Sequence, residues 1–274
     1  MSTINGENKK NIKTIKTEKE LSSILKEAGK SHKYYNFYAP EYKIKYIIDS
    51  CALYLSDGQK WNDTIDRQNM KKNSFALCFS CSIFESVAMW MLYGGIDKKG
   101  ALIKFPNSLI NDICQSIKDS DLSFGHFEEQ IFVEEQINSD HFKKKSDAYL
   151  VDIGYCGNKT IFTLGGKIKF ENGKEEKIKE KLENTKSYPW KYERECRLIV
   201  STYPKDQDLF TSKKIDTLRI KLSNKTLKKL QERIFLSPVH PNKSENSLSK
   251  LQPNLSKMDG KIDWDLCPHK CKYK

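Results

Sequence analysis

The sequence predicts an α+β fold with mixed, largely antiparallel sheets and helices at the periphery. Three observations predict it. Short apolar runs, bounded by Pro, Gly or polar clusters, dominate the middle of the chain. Helical periodicity falls between them without strict βαβ alternation. Neither a G-x-G-x-x-G pattern nor a P-loop pattern is present.

The elements follow in order. Residues 1–30 read as a basic arm, with Lys9, Lys10, Lys13 and Lys16, leading into a short helix over 18–28. Leu21, Ile24 and Leu25 share one face of that helix. Residues 31–240 read as a single domain. It opens with an aromatic strand at 34–38, stopped by Ala39 and Pro40, then a helix over 41–50 and a strand at 52–55. A polar loop over 57–63 precedes a buried strand at 75–80 and a helix over 86–93, which Gly94 and Gly95 end. A strand at 99–105, a helix over 108–117 and strands at 148–155 and 161–164 come next. The Lys/Glu alternation over 175–183 predicts a solvated helix. A strand over 192–201 follows, then short strands at 218–222 and 234–236 around a helix over 225–233. Residues 241–274, rich in Asn, Ser and Lys, read as an irregular tail.

Composition narrows the class. Hydrophobic residues make up 38% of the 274, enough for one sizeable core and too many for a disordered chain. No window approaches the roughly 18 apolar residues of a membrane span. The lysine-rich start carries no apolar signal region, so the expected location is the cytoplasm. A net charge of +12 implies an anionic partner, nucleic acid being the commonest, or else a lysine-rich surface encoded by an AT-rich genome. The eight cysteines are scattered, several inside apolar runs, which fits reduced core thiols.

Four constellations carry chemistry. In Tyr192-Glu193-Arg194-Glu195-Cys196-Arg197, strand alternation would put Glu193, Glu195 and Arg197 on one face. Two carboxylates about 7 Å apart repel, which raises the pKa of one and suits acid–base work or stabilisation of a cationic transition state. The plain alternative is a surface strand whose carboxylates meet cross-strand lysines. Ser80 ends an apolar strand, where a hydroxyl can point into a cleft. Trp90 and Tyr93 are three apart on a helix and can stack on a flat ring, or simply pack in the core. Asn62, in a loop with Asp63 and Asp66, is either a ligand contact or a helix cap. Cys267, His269 and Cys271 could bind zinc, although no second pair lies near them.

These residues resemble a bacterial family long catalogued as a domain of unknown function. Its marks are an aromatic first strand, an Asn-Asp loop, a Phe-Ser strand end, a Met-Trp-x-x-Tyr helix and a late Tyr-Glu-x-Glu-x-Arg strand. The layout is also similar to the ADP-ribosyltransferase superfamily. That resemblance implies NAD as substrate, held in a cleft between two antiparallel sheets. It implies Glu195 as the catalytic carboxylate, with Glu193 second and Ser80 in the second-strand role. Tyr34 or Tyr35 would stand at the first-strand position, and Trp90 and Tyr93 would line the nicotinamide pocket, with Asn62 in the contact loop. A departure from the pattern is that no Arg or His occupies the first-strand slot, with His32 only nearby. Basic members of the superfamily include toxins of phage defence that modify nucleic acid, one of them in a toxin–antitoxin–chaperone system. The expectation is therefore a transferase toxin or defence effector acting on nucleic acid, RNA foremost, with an antitoxin and a chaperone as further partners. Two other classes remain open. One is a metal-dependent nuclease or phosphodiesterase using Asp63, Asp66, Glu193 and Glu195 as oxygen ligands. The other is a non-catalytic RNA-binding module.

Overall fold

Apolar, β-branched and aromatic residues set the strands. In β4 (Ser74–Ser80) and β13 (Glu195–Ser201) almost every side chain is buried, so both faces of these strands are covered. The computed structural model describes residues 12–61, 64–82, 87–93, 99–119, 122–157, 160–171, 184–237 and 248. The other early elements are β1 (Ile12–Ile15), α1 (Glu18–Lys30), β2 (Tyr34–Pro40), α2 (Glu41–Asp49), β3 (Ala52–Ser56), α3 (Thr64–Asn69), α4 (Val87–Tyr93), β5 (Gly100–Pro106) and α5 (Asn107–Asp119). The later ones are β6 (Ser123–Glu128), β7 (Ile131–Glu135), β8 (Asp147–Asp152), β9 (Gly154–Gly157), β10 (Thr160–Thr163), β11 (Gly166–Phe170), β12 (Thr185–Ser187), β14 (Thr217–Lys221) and β15 (Ile234–Leu236). The α+β class therefore stands. Among the described residues, no helix is long and apolar enough to cross a membrane.

Two sheets form. The smaller runs β1-β11-β10-β9-β12 and is mixed, its two outer pairings being parallel. The larger has ten strands, all of its pairings antiparallel. Its path is β15-β5-β2-β4-β3-β14-β6-β7, with β13 and then β8 on the other edge of β4. One edge of β4 is thus fully laddered to β13. Its opposite edge is shared: β2 meets it at Asn36↔Ser80 and β3 at Ser56↔Ala76. Between those two points the sheet divides, and the division opens a cleft.

Helices cover the outside. Thr17 caps α1 by accepting a hydrogen bond from Glu20 N at 3.2 Å, while Glu20 accepts from Lys16 N at 2.9 Å. These reciprocal bonds satisfy donors that the first turn leaves free. Leu21 and Leu25 of α1 are buried with Ile15, Val151, Ile199 and Ile168, joining the two sheets. Each such leucine contributes about 1.5–3 kcal/mol of burial. Gly29 is required by that packing: a Cβ there would lie 2.7 Å from the Val151 backbone.

Several expectations change. The described part of the basic arm, residues 12–15, is a strand, because Ile12, Thr14 and Ile15 favour extended backbone and β11 offers a parallel edge. Lys13 stays exposed while Ile15 is buried. Residues 12–30 therefore belong to the domain. The predicted strand at 148–155 divides at Ile153 into β8 and β9, which lie in different sheets. The β6–β7 hairpin occupies a stretch whose charged residues hid its alternation. The helix predicted over 175–183 lies outside the described residues. So does the tail apart from Leu248, which is buried in the main core and donates its N–H to Glu41 Oε1.

Candidate functional site

Sheet register puts three polar side chains in one row. Asn36 of β2 pairs with Ser80 of β4, and Ser80 pairs with Glu195 of β13. Neighbouring residues on adjacent strands point to the same face. The row lies at the division of the sheet and lines a cavity of about 760 Å³. Asn36 Oδ1 and Ser80 Oγ are buried there and make no hydrogen bond within the described protein. Buried polar atoms without a partner are uncommon in native proteins.

A charge cluster forms the floor. Glu193, Glu195, Asp66, Lys186 and Arg197 are all buried. Lys186 Nζ lies 2.6 Å from Glu195 Oε2, 2.8 Å from Glu193 Oε2 and 3.3 Å from Asp66 Oδ2. Arg197 donates Nε to Glu195 Oε1 at 2.5 Å and Nη2 to Asp66 Oδ2 at 2.6 Å. Three carboxylates thus meet two cations. Tyr155, deeply buried, accepts the Glu195 backbone N–H at 2.8 Å and fixes the start of β13. Tyr93 donates its hydroxyl to Glu193 Oε1. Trp61 stacks on the Arg197 guanidinium at 4.3 Å, and Trp190 stands 5.7 Å from Lys186.

The two glutamates titrate apart. Burial pushes the Glu195 carboxyl up, but the charges of Arg197 and Lys186 outweigh it and hold it well below the usual carboxylate range. For Glu193, burial prevails over Lys186, and the Glu195 charge adds to it, so its pKa is raised. Arg197 and Lys186 thus favour the ionised form of Glu195, while burial favours the protonated form of Glu193. A pair separated in this way has the form of an acid–base assignment.

The structure brings Glu195, Glu193, Ser80 and Tyr93 to the cleft lining. The common strand face is corrected: Glu193 ends a 3-10 helix, Tyr188–Glu193, and Arg194 turns with φ 47 before β13 begins. Pro189 at the start of that helix prevents a strand ladder there. The turn, not strand alternation, swings Glu193 into the cleft. Tyr34 and Tyr35 do not line it. Tyr35 is fully buried on the reverse face, edge-on to Phe79, and donates to Gly29 O at 2.7 Å. Tyr34 lies under Lys104, 4.4 Å from the ring centroid. From β2 it is Asn36, paired with Ser80, that lines the cleft beside Glu195. Trp90 is a core residue, packed edge-on to Tyr38 at 4.9 Å with Met89 and Leu102. Asn62 lies outside the described residues, as do Asp63 and Cys267, His269 and Cys271. Sequence reasoning missed Lys186 and Tyr155. Lys186 sits in a polar stretch with no periodicity, and Tyr155 reads as an ordinary apolar strand residue. Of the carboxylates proposed for a metal, Asp66, Glu193 and Glu195 are held by Lys186 and Arg197, so a divalent ion there would have to displace two bound cations.

No protein-family model matches the chain, and no curated protein or solved structure matches it.

Proposed function

We propose that this chain is an ADP-ribosyltransferase that uses NAD as substrate and modifies nucleic acid, RNA foremost. The observation that carries the reading is the row Asn36–Ser80–Glu195 across three adjacent strands at the mouth of a divided sheet. In such a transfer the N-glycosidic bond breaks, nicotinamide leaves with the bonding electrons, and the anomeric carbon bonds to the acceptor. Positive charge develops on the ribose. Glu195, ionised and fixed by Arg197 and Lys186, faces that charge without needing to reorganise. Ser80 Oγ and Asn36 Oδ1 supply free hydrogen-bonding capacity to the ribose and amide groups. Glu193, with its raised pKa, receives the proton that the acceptor hydroxyl or amine loses. Tyr93 and Trp190 offer ring faces for stacking. With Glu193 ionised, three carboxylates face two cations and the floor of the cleft carries a net negative charge, which suits a cationic transition state. The +12 net charge supports an anionic acceptor, and an antitoxin and chaperone would accompany a toxin of this kind.

The test incubates the full chain with labelled NAD and separately with total RNA, DNA and cell extract, beside Glu195→Gln of verified fold. Label on RNA that disappears in the variant supports the reading. Label on protein alone keeps the enzyme and removes the nucleic-acid acceptor. A folded protein that neither transfers label nor releases nicotinamide defeats the NAD reading.

A further inference from the structure

The reverse face of the same strands holds a second cluster. Strand alternation turns Ser80 and Glu195 to the cleft and their neighbours Cys81 and Cys196 away from it. His32, in the link between α1 and β2, joins them. One donor atom from each of His32, Cys81 and Cys196 lies within 4.8 Å of the others. Both thiols are buried, and the His32 side chain is 14% exposed. Behind the ring, Asp152 Oδ1 sits 2.5 Å from His32 Nε2. A carboxylate on Nε2–H fixes the tautomer that leaves Nδ1 as the electron-pair donor, the usual arrangement behind a metal-bound histidine. The three donor residues come from stretches far apart in the sequence, yet their ligand atoms lie within 4.8 Å of one another.

We propose that His32, Cys81 and Cys196 bind a thiophilic divalent metal ion, zinc foremost, with Asp152 orienting His32. The donor set of two sulfurs and one imidazole suits zinc rather than magnesium or calcium, which take oxygen ligands. Binding displaces every proton on the three ligand atoms to solvent as the metal–sulfur and metal–nitrogen bonds form. The resulting centre, one doubly charged cation with two thiolates and a neutral imidazole, is electrically neutral and suits a buried place. The fourth position falls to water, which keeps that charge balance. Cys81 and Cys196 are free thiols in the structure. Two bonds of about 2.3 Å to one tetrahedral metal set the sulfurs roughly 3.8 Å apart, within the 4.8 Å that the donor atoms already span. The ion would pin the ends of β4 and β13, next to Ser80 and Glu195, and hold the start of β2, where Asn36 stands. This site is independent of the NAD reading.

The test uses the full, reduced chain. Elemental analysis after purification with zinc measures bound metal, and cobalt titration of the stripped protein reads thiolate-to-cobalt charge-transfer absorption. We expect about one ion per chain, loss of the charge-transfer band in Cys81→Ser, and affinity about 10–100-fold lower in Asp152→Asn. The double variant Cys267→Ser with Cys271→Ser serves as the control and keeps the ion. Should Cys81→Ser fail to fold, the wild-type chain decides: a chelator must release its zinc and lower its melting temperature. Uptake that vanishes in the tail variant instead, or a folded wild-type chain that takes up neither zinc nor cobalt, overturns the proposal. So does a Cys81–Cys196 disulfide found by mass spectrometry in protein kept under mild reduction.

Discussion

The two faces of β4 and β13 treat polar groups differently. On the cleft face, carboxylates and cations are buried together, with Ser80 Oγ and Asn36 Oδ1 left unbonded beside them. On the reverse face, Phe79 and Tyr35 pack in the main core beside Cys81 and Cys196. A period-two strand places these sets one residue apart. The lesson is that stability and chemistry divide by parity along the same strands: Phe79, Cys81 and Cys196 hold the fold, while Ser80, Glu195 and Arg197 carry the cleft.

The largest effect should come from Glu195→Gln. Transfer from labelled NAD should fall by about 100-fold or more, since a preorganised charge facing the reacting centre is lost. An equal rate would show that the cleft face does not act through this carboxylate. Lys186→Met leaves Glu195 and Asp66 to Arg197, and Glu193 to the Tyr93 hydroxyl. Breaking a buried ion pair costs about 3–5 kcal/mol, measurable by chemical denaturation. A comparison of neighbours sharpens the parity argument. Phe79→Ala should cost about 3–5 kcal/mol of stability and keep the activity of the molecules that remain folded. Ser80→Ala should change stability by under about 1 kcal/mol, because its hydroxyl has no bond to lose, and yet reduce transfer.

A smaller effect concerns pH. The Glu195 carboxyl is depressed in the folded chain, so its contribution is complete above the unfolded value near about 4.3 and declines as pH falls towards the folded value. The stability difference between wild type and Glu195→Gln should therefore shrink between pH 7 and pH 3 in denaturation curves. Glu193 is raised and has the opposite sign: its contribution is complete below the unfolded value and is lost as pH rises through the folded one. The Glu193→Gln penalty at neutral pH should accordingly be smaller than that of Glu195→Gln.

Much of this was legible in the residues. The apolar run before Ser80 and the run from Cys196 to Val200 marked β4 and β13, because strands covered on both faces read as continuous apolar stretches. Glu195 was legible from Arg197, two residues on along the same strand face, whereas the face expected for Glu193 was not the one it takes. Its register with Ser80 was not, since pairing between residues 115 positions apart leaves no local trace. Asn36 was hidden within an aromatic strand, where Tyr34 and Tyr35 drew the eye. Trp90 carries the same residue type whether it lines a pocket or fills a core, and only tertiary packing decides. Lys186 depended on β12 docking beside β9, which nothing in Thr185-Lys186-Ser187 announces.

The division of the large sheet also fixes where the molecule would tear. β2 and β3 each hold β4 by a single residue pair, at Asn36↔Ser80 and Ser56↔Ala76, whereas β13 grips it along its whole length. A load that peels β2 from β4 concentrates on one point, as at the tip of a crack, while the opposite seam shares the same load among many bonds. The cleft is therefore the compliant line of the fold, and widening it to admit a large substrate leaves the β4–β13–β8 spine intact.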